Sequence, residues 1–391
     1  MRIKRVHWLV SCLLCVVMAF CASACANEMP QIDGELEQND YPPTYQEDVI
    51  DMELYELSSV NTYSREMLNL PGMLLITDQR RGATLYYINK ATGKGHIFCF
   101  DPLCNHKNCP ASQIMLVRKC GYHPKDNALY YSIGKATRMG TEVYRLDLET
   151  FESKVVWKSD GNLLMHGFEV FGDYLVFMVA RTEGGYDAML LNVTTGDVIP
   201  IQPPSGKVFQ SFTVINGKAY ATFTDSSAYY RLDASLSYYN EVDVPVRGTY
   251  FDDNVRIGKL MGEQEIRGLA YGNIVGFEAY EMQSGKRWQV YKGEVPLYHK
   301  GFDGEYVYYT EYEKKGESYV ENPMLYRVSV WTGEVEELCE ITGYLMEVVE
   351  FEDTVYYCHK VYVDSSPQFC YGKLVKTEDG FVAEDFEIEY P

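Results

Sequence analysis

The chain has 391 residues, and its 56 Asp and Glu residues outnumber its 35 Lys and Arg residues, which leaves a formal net charge of −21. A chain this acidic has no electrostatic attraction for a phosphate backbone, so nucleic-acid binding is excluded as a function. Hydrophobic residues make up 46% of the sequence and aromatic residues 14%, which excludes a largely disordered protein. The 34 tyrosines favour strands over helices.

Residues 1–24 have the features of a secretory signal peptide. A basic start is followed by an apolar run over 8–20 and then by the small residues Ala22, Ser23 and Ala24. The apolar run is too short for a stable membrane span. Cleavage would remove three basic residues and take the formal charge of the mature protein from −21 to −24. The sequence therefore predicts an exported protein.

The sequence Ala22-Ser23-Ala24-Cys25 resembles the lipobox of bacterial lipoproteins. The resemblance implies that Cys25 becomes the N-terminal residue and carries diacylglyceryl and palmitate-type chains. Such chains hold a protein on the extracytoplasmic face of the bacterial cell membrane without spanning it. If Cys25 is not acylated, cleavage after Ala24 would instead release a soluble secreted protein.

Residues 25–50 are expected to form a tether after the lipidated cysteine. The segment 26–50 has seven acidic residues and no basic one, and prolines interrupt it at three positions. A chain of this composition buries too little apolar surface to fold and repels itself into extended conformations. Its expected reach from the membrane is roughly 25–30 Å.

Two turn markers repeat in register along the rest of the chain. The first is a turn before a hydrophobic strand, at intervals of 42 to 55 residues: Gly72, Asn127, Gly172, Gly217, Gly262, Gly304 and Asp353. The second is a hairpin turn that ends, at intervals of 41 to 58 residues, at positions 93, 151, 196, 237, 285, 333 and 380. A Gly at the end of such a turn supplies the positive φ that a bulged hairpin needs.

Each repeat of about 45 residues accommodates four short antiparallel strands, which is one propeller blade. The sequence therefore predicts an all-β domain over 51–391, a single seven-bladed β-propeller, with six or eight blades as the alternatives. Two unrelated β-sandwiches would not explain why the two markers keep phase. Residues 51–58 alternate like a strand and could extend an edge, and 381–390 are expected to be the last blade's fourth strand.

The run Leu85-Tyr86-Tyr87-Ile88-Asn89, with echoes at 129–133 and 307–310, resembles propeller repeats of the low-density-lipoprotein-receptor type. It is similar in particular to the Tyr-Tyr-Ile-Asn repeats of a domain of unknown function in exported proteins of Gram-positive anaerobes. The segment from Cys99 to His106 also resembles a Cys-x4-Cys-x-His motif in lipoproteins of gut clostridia. The resemblance implies the propeller fold and the membrane address, and the family contributes no assigned activity.

An insertion at about 96–124 concentrates metal-binding residue types, and it coincides with the longest interval in both repeat series. Seven of the thirteen cysteines and histidines that follow Cys25 lie there: His96, Cys99, Cys104, His106, Cys109, Cys120 and His123. Zinc prefers four N or S ligands, and Cys99, Cys104, His106 and Cys109 offer a Cys₃His set. Disulfide bonds that pin a long loop are equally compatible with an exported protein, and free thiols are a third possibility.

Other sites are less distinct. Cys358 and Cys370 are expected on adjacent strands of the last blade and could form a disulfide. Polar loops are expected at 312–322 and 363–368, on the same face as the insertion. The sequence has no phosphate-binding loop, nucleophile elbow or HExxH motif, so no catalytic residue is assigned.

These features favour a monomeric, lipid-anchored extracytoplasmic propeller that binds a cell-surface protein, a peptide or a glycan. The alternative is a surface hydrolase of glycans or peptides, with acidic residues in the propeller funnel. A third interpretation makes the cysteine-rich insertion a site that senses or stores metal. No cofactor follows with certainty from the sequence, and zinc is the candidate.

Overall fold

The computed structural model describes residues 67–388, apart from 79–83, 102, 107–108, 115–119, 135–140, 159–164, 182–183, 216–217, 225–228, 233–238, 243–249, 252–254, 263–272, 282–285, 317 and 364–365. These residues belong to one compact unit, Pro43–Pro391. The signal peptide, Cys25, the tether and 51–58 lie outside the described residues, so the predictions made for them stay predictions. Among the described residues, no helix has the length and apolar composition of a membrane span.

The described chain is built from consecutive four-stranded groups, numbered here from first to seventh. The first three groups are β1 Met67–Leu70, β2 Met73–Asp78, β3 Thr84–Asn89 and β4 Lys94–Ile97; β5 Cys120–His123, β6 Ala128–Gly134, β7 Thr141–Asp147 and β8 Ser153–Lys158; β9 Met165–Phe171, β10 Tyr174–Ala180, β11 Tyr186–Asn192 and β12 Val198–Ile201. The fourth and fifth are β13 Phe209–Ile215, β14 Lys218–Phe223, β15 Tyr229–Leu232 and β16 Tyr239–Val242; β17 Tyr250–Phe251, β18 Val255–Met261, β19 Ile274–Glu281 and β20 Arg287–Lys292.

The sixth group carries an extra short strand, and the chain ends on a strand of its own. The remaining strands are β21 Leu297–Phe302, β22 Tyr306–Lys315, β23 Ser318–Glu321, β24 Met324–Ser329 and β25 Val335–Glu340; β26 Tyr344–Phe351, β27 Thr354–Val363, β28 Ser366–Thr377 and β29 Gly380–Asp385; and finally β30 Glu387–Ile388. The helix α1, Pro110–Gln113, lies between the first and second groups. The predicted all-β class is confirmed.

Each group is an antiparallel meander whose strands pair in chain order. The third and fourth groups are joined by the single pair Tyr186↔Phe209 into one eight-stranded sheet. The predicted hairpin turns that end at 93, 151, 196, 333 and 380 fall between the third and fourth strands of their groups, while 237 and 285 lie outside the described residues. Gly93, Gly196 and Gly333 adopt φ values of 69°, 80° and 71° there, as the turn chemistry requires.

Five of the predicted turns between first and second strands are correct, Gly217 lies outside the described residues, and the turn predicted for the fifth group is wrong. In that group β17 ends at Phe251 and β18 begins at Val255, and Gly262 follows β18 instead of preceding it. The reason is a different use of glycine, because a Cβ at Gly262 would collide with the side chain of Asn273, the residue just before β19. Gly262 thus permits a close approach between β18 and β19, and its spacing coincides with the repeat only by accident.

Tyrosine doublets in the second strands link neighbouring groups. Successive strand residues point to opposite faces, so Tyr130 packs in the core between the second and third groups while Tyr131 packs between the first and second. Tyr308 and Tyr309 divide in the same way between the two sides of the sixth group. The abundance of tyrosine in this sequence therefore reflects sheets that are buried on both faces.

The last group packs against the first through an apolar core that contains Leu74, Tyr86, Tyr356 and Tyr371. The hydroxyl of Tyr371 donates to the carbonyl oxygen of Thr77 at 3.0 Å. The chain then leaves the seventh group after β29, and β30 pairs in parallel with β4 of the first group. The segment expected to be one fourth strand is thus divided between two groups, and β30 acts as a clasp between them.

Candidate metal centre

The insertion lies in the joint between the first and second groups. It spans 98–119, which is shorter than the sequence predicts, because His96 belongs to β4 and both Cys120 and His123 belong to β5. The amide of Phe98 still donates to the carbonyl oxygen of Leu85 on β3, at 2.9 Å. Ala111 and Ile114, at the two ends of α1, are buried in the apolar core that the two groups share. The insertion is therefore anchored on both sides by packing.

Local turns bring the predicted ligands together. The Asp101 carboxylate accepts the amide of Leu103 at 2.9 Å, and its carbonyl oxygen accepts the amide of Cys104 at 3.1 Å, which reverses the chain after Cys99. His106 adopts a left-handed φ of 55°. Its amide points back at the sulfur of Cys104, 3.3 Å away. This contact holds the Cys104 sulfur on the inner side of the turn, where the other ligands lie.

Cys99, Cys104, His106 and Cys109 present ligand atoms that all lie within 4.8 Å of one another. The Cys109 sulfur is 3.7 Å from Nδ1 of His106. Tetrahedral zinc with Zn–S bonds of about 2.3 Å requires ligand atoms about 3.5–3.8 Å apart, so small side-chain rotations would complete the tetrahedron. All four residues are half-buried. The donor set, its number and its spacing fit zinc.

In the absence of a cation, Cys99 is held in its protonated form. Burial, together with hydrogen bonds to the thiols of Cys104 and Cys109, raises the pKa of Cys99 to about 11. Several thiolates are costly to gather in one place without a cation, because each disfavours ionisation of the next. A bound divalent cation would remove that cost and release protons.

The remaining members of the insertion are not brought to this cluster. Cys120 is buried in the core beside β6, and burial raises its pKa. Nε2 of His123 donates to the carbonyl oxygen of Gly172 at 3.0 Å, which ties the second group to the third, and burial lowers the pKa of His123. The ring of His96 lies 5.7 Å from that of Tyr87.

The seven cysteines among the described residues are all free thiols in the structure. Cys358 and Cys370 do lie on adjacent strands, but Cys358 is opposite Tyr371 and Cys370 is opposite His359. This one-residue offset sends the two sulfur atoms to opposite faces of the sheet. Cys358 packs towards the first group, whereas Cys370 lies beside His359, so this register does not bring the two sulfur atoms together.

No protein-family model matches the chain, and no curated protein matches it. Among solved structures, the chain is similar to the β-propeller domain of the Trilobed protease from Pyrococcus furiosus, with a TM-score of 0.51 and 12% identity over 82% of this chain and 97% of that one. The fold is that of a β-propeller.

Two further propeller-containing structures are similar at lower scores. An oligogalacturonate lyase from Vibrio parahaemolyticus has a TM-score of 0.49 and 10% identity over 83% of this chain and 92% of that one. Dipeptidyl peptidase 4 from Porphyromonas gingivalis has a TM-score of 0.47 and 9% identity over 84% of this chain and 60% of that one. At these identities the likeness bears on the fold alone.

The expected polar loops are hairpins on the same face of the propeller as the metal cluster. The first is formed by β22 and β23, and the second by the ends of β27 and β28. In an antiparallel meander, the link from second to third strand and the exit from the fourth strand leave at the same end. The insertion follows a fourth strand, so the two hairpins and the insertion belong to one face.

A buried lysine holds the first hairpin in place, which sequence reasoning missed. Nζ of Lys300, on β21, donates to Glu321 on β23 and to the carbonyl oxygen of Leu345 on β26, both at 2.5 Å. Burial outweighs the nearby carboxylate and lowers the pKa of Lys300 to about 8. The available signal was a single lysine inside the otherwise buried strand 297–302, and its partners are distant in sequence.

A second missed group is His359, which the sequence suggests is an ordinary strand residue. Its Nδ1 donates to the carbonyl oxygen of Thr342 at 2.5 Å, and its Nε2 donates to the Asp385 carboxylate at 3.1 Å. Burial disfavours the charged ring, but hydrogen bonds to Asp385 and Cys370 outweigh it and raise the pKa of His359 to about 9. His359 is therefore a buried imidazolium with a structural carboxylate partner.

Proposed function

We propose that this protein is a lipid-anchored, extracytoplasmic, seven-bladed β-propeller that binds a ligand or a protein at the outer face of the bacterial cell membrane. In this proposal a zinc ion held by Cys99, Cys104, His106 and Cys109 fixes the loop between the first two blades. The observation that carries the zinc site is the convergence of four ligand atoms within 4.8 Å, in a loop packed into that joint. The lipobox-like sequence before Cys25 supports the address.

Seven blades follow if each four-stranded group is one blade. In support, the described strands form seven such groups in chain order. Among the described residues, apolar cores link each adjacent pair of groups except the fourth and fifth, and one of them joins the seventh group to the first. The parallel pairing of β30 with β4 adds a backbone link between the seventh group and the first.

Zinc is favoured over disulfides by the arrangement of the ligands. A disulfide between any two of the three cysteines would leave His106 and one thiol without a role, although the left-handed turn at His106 directs its ring to the Cys109 sulfur. When bound, zinc supplies charge neutralisation and a cross-link, and no reaction step is assigned to it. With all four positions filled by the protein, the site is structural in type.

The hydrolase alternative draws less support from the carboxyl groups with raised pKa values. Burial raises the pKa of Glu169 to about 8, and that group accepts the backbone amide of Val214 in the next blade. Burial and the neighbouring Asp303 raise the pKa of Glu350 to about 7. Asp303 in turn is occupied by the hydroxyl of Tyr308 and by two amides of its own turn. Glu169 and Asp303 are thus occupied by contacts within the fold, which favours the binding role.

The experiment is intact-mass and elemental analysis of the mature protein purified anaerobically from membranes. We expect one zinc per chain, thiols that are all reduced after metal removal, and an acyl-modified N-terminal Cys25. Cys25→Ser should abolish acylation and leave zinc unchanged. Absence of zinc together with hydrogen loss from disulfide formation would overturn the metal site, and an unacylated cytosolic protein would overturn the address. If the protein hydrolysed a glycan or a peptide, and one Asp or Glu substitution abolished this activity, the hydrolase hypothesis would replace the binding hypothesis.

A further inference from the structure

One lysine and three aromatic rings share a face of the seventh blade, near the hairpin of β27 and β28. Lys360 is directly opposite Tyr344 on β26 and Phe369 on β28. Tyr362 is two residues further along β27 and therefore on the same face. The Nζ atom of Lys360 lies 5.9, 5.7 and 5.8 Å from the ring centroids of Tyr344, Tyr362 and Phe369. These four residues are called the Lys360 platform below.

The ammonium group of the platform lacks a carboxylate partner within the described part of the chain. Three other cations of the last two blades have one: Lys300 pairs with Glu321, Arg327 with Glu336 and Lys373 with Glu384. In a chain with 56 acidic and 35 basic residues, carboxylates are abundant. Among these described residues, the ammonium group of Lys360 is surrounded by aromatic rings alone. It can therefore still pair with an anion, and that anion would come from a ligand.

The platform is accessible at its outer end and supported at its inner end. Tyr362 is 66% exposed, and Val363 beside it is also exposed. The ring of Tyr344 lies 4.9 Å from Nζ of the buried Lys300 and 5.9 Å from the ring of Tyr298. The Lys300–Glu321 pair therefore holds Tyr344 in place from behind. Such preorganisation reduces the ordering cost of binding.

The lysine and the aromatic rings of the Lys360 platform determine which class of ligand can bind there. A cationic ligand is repelled, because the rings already surround an ammonium group. Aromatic faces attract the C–H surface of a sugar ring, and an ammonium group pairs with a carboxylate. An acidic peptide offers the carboxylate but few flat apolar faces.

We propose that the Lys360 platform binds an anionic saccharide through a sugar carboxylate on Lys360 and stacking on Tyr344, Tyr362 and Phe369. This inference rests on the proposed binding function and names the class of its ligand. It assigns the recognition surface to the face of the propeller that also carries the metal cluster.

The test is calorimetric titration of the zinc-loaded mature protein with hexagalacturonate and with its fully methyl-esterified, uncharged form. We expect saturable binding of the acid form, at least about 10-fold weaker binding of the ester, and a similar loss with Lys360→Ala or Tyr362→Ala. The matched control is Lys376→Ala, because Lys376 lies 6.0 Å from the ring of Phe381 in the same sheet but outside the platform. That variant should bind as the wild type does.

Equal binding by wild type and Lys360→Ala, or the same affinity for the acid and the ester, would overturn the inference. So would Lys360-dependent binding of an acidic peptide of residues 26–50 at an affinity equal to that of the saccharide. Zinc content and Cys25 acylation are measured on the same preparations. A protein that carries both but ignores the saccharide refutes the platform and leaves the proposed address and metal site intact.

Discussion

Two regions of this molecule carry cysteine and histidine close together, and only one of them forms a convergent site. In the insertion, four ligand atoms from Cys99, Cys104, His106 and Cys109 lie within 4.8 Å of one another. In the seventh group, Cys358 and His359 are adjacent in sequence yet face opposite sides of a sheet. The first region consists of turns, which can direct successive side chains inward, whereas a strand separates its neighbours by alternation. In this molecule, cysteine and histidine residues that are close in sequence converge on one site where the backbone leaves the strand.

The largest effect should come from removing one ligand of the turn region. Cys104→Ser deletes a thiolate and the acceptor of the His106 amide, so zinc affinity should fall by more than about 100-fold. Competition with a chromogenic chelator measures it. Cys358→Ser is the matched strand-side control and should leave zinc affinity unchanged. If Cys104→Ser retained the zinc affinity of the wild type, the insertion would not be the zinc site, and the contrast between the two regions would be wrong.

Metal removal should destabilise the propeller through the joint that the insertion fills. In this proposal zinc at 100 to 1,000 times its Kd would stabilise the folded chain by at most about 3–4 kcal/mol, because it binds the folded loop more tightly than the unfolded chain. Thermal unfolding with and without a strong chelator measures this difference. The Cys104→Ser variant should show the lower Tm at the outset and no further shift with chelator. A chelator effect of equal size in that variant would place the metal elsewhere.

The strand region should respond to pH instead of metal. The pKa of His359 is raised from 6.5 to about 9, so its contribution is fully present below pH 6.5 and is lost as the pH rises through about 9. The loss should be about 2–3 kcal/mol, measured by urea unfolding at pH 6.5 and 9.5. His359→Gln should flatten this difference, and comparison with wild type separates His359 from Lys300, whose pKa also lies in that range.

His299 gives the control of opposite sign. Burial lowers its pKa to about 3, so its contribution is present above pH 6.5 and is lost only as the pH falls towards 3. A substitution at His299 should leave the change between pH 6.5 and 9.5 as in the wild type. We expect the free energy of unfolding to fall more between pH 6.5 and 9.5 in the wild type than in His359→Gln. An equal fall in both proteins would contradict the buried imidazolium.

The smallest effect concerns the clasp that connects the two regions. Ile388 packs against Gly95 on β4, the strand that leads into Cys99. Ile388→Asp should cost about 1–2 kcal/mol by burying a charge, whereas Val382→Asp, at a residue 51% exposed, should cost less than about 0.5 kcal/mol. Equilibrium urea unfolding of both variants checks the difference. Equal costs would mean that β30 contributes no more than surface chain.

The sequence predicts much of the architecture because turn chemistry and alternation are local. Gly93, Gly196 and Gly333 mark real hairpins, since each needs a positive φ that a side chain disfavours. Gly262 misleads because a glycine that admits Asn273 has the same sequence signature as a turn glycine. The sequence also could not predict that 381–390 is divided between β29 and β30. The strand partner of Ile388 is Gly95, which lies at the other end of the domain.

The candidate metal site was predictable for the same reason, as its four ligands lie within eleven consecutive residues. Which cysteines would be left out was not predictable. Cys120 looks equivalent in sequence, but it begins β5, and strand pairing fixes its side chain in the core. The partners of Lys300 and His359 lie 17 to 45 residues away in the sequence, so no spacing rule could have found them.

The most direct test of the central claim is zinc stoichiometry in three proteins purified anaerobically side by side: wild type, Cys104→Ser and Cys358→Ser. The account predicts one zinc per chain in wild type and in Cys358→Ser, and essentially none in Cys104→Ser. Wild-type protein without zinc, or zinc retained by Cys104→Ser and lost by Cys358→Ser, would contradict it.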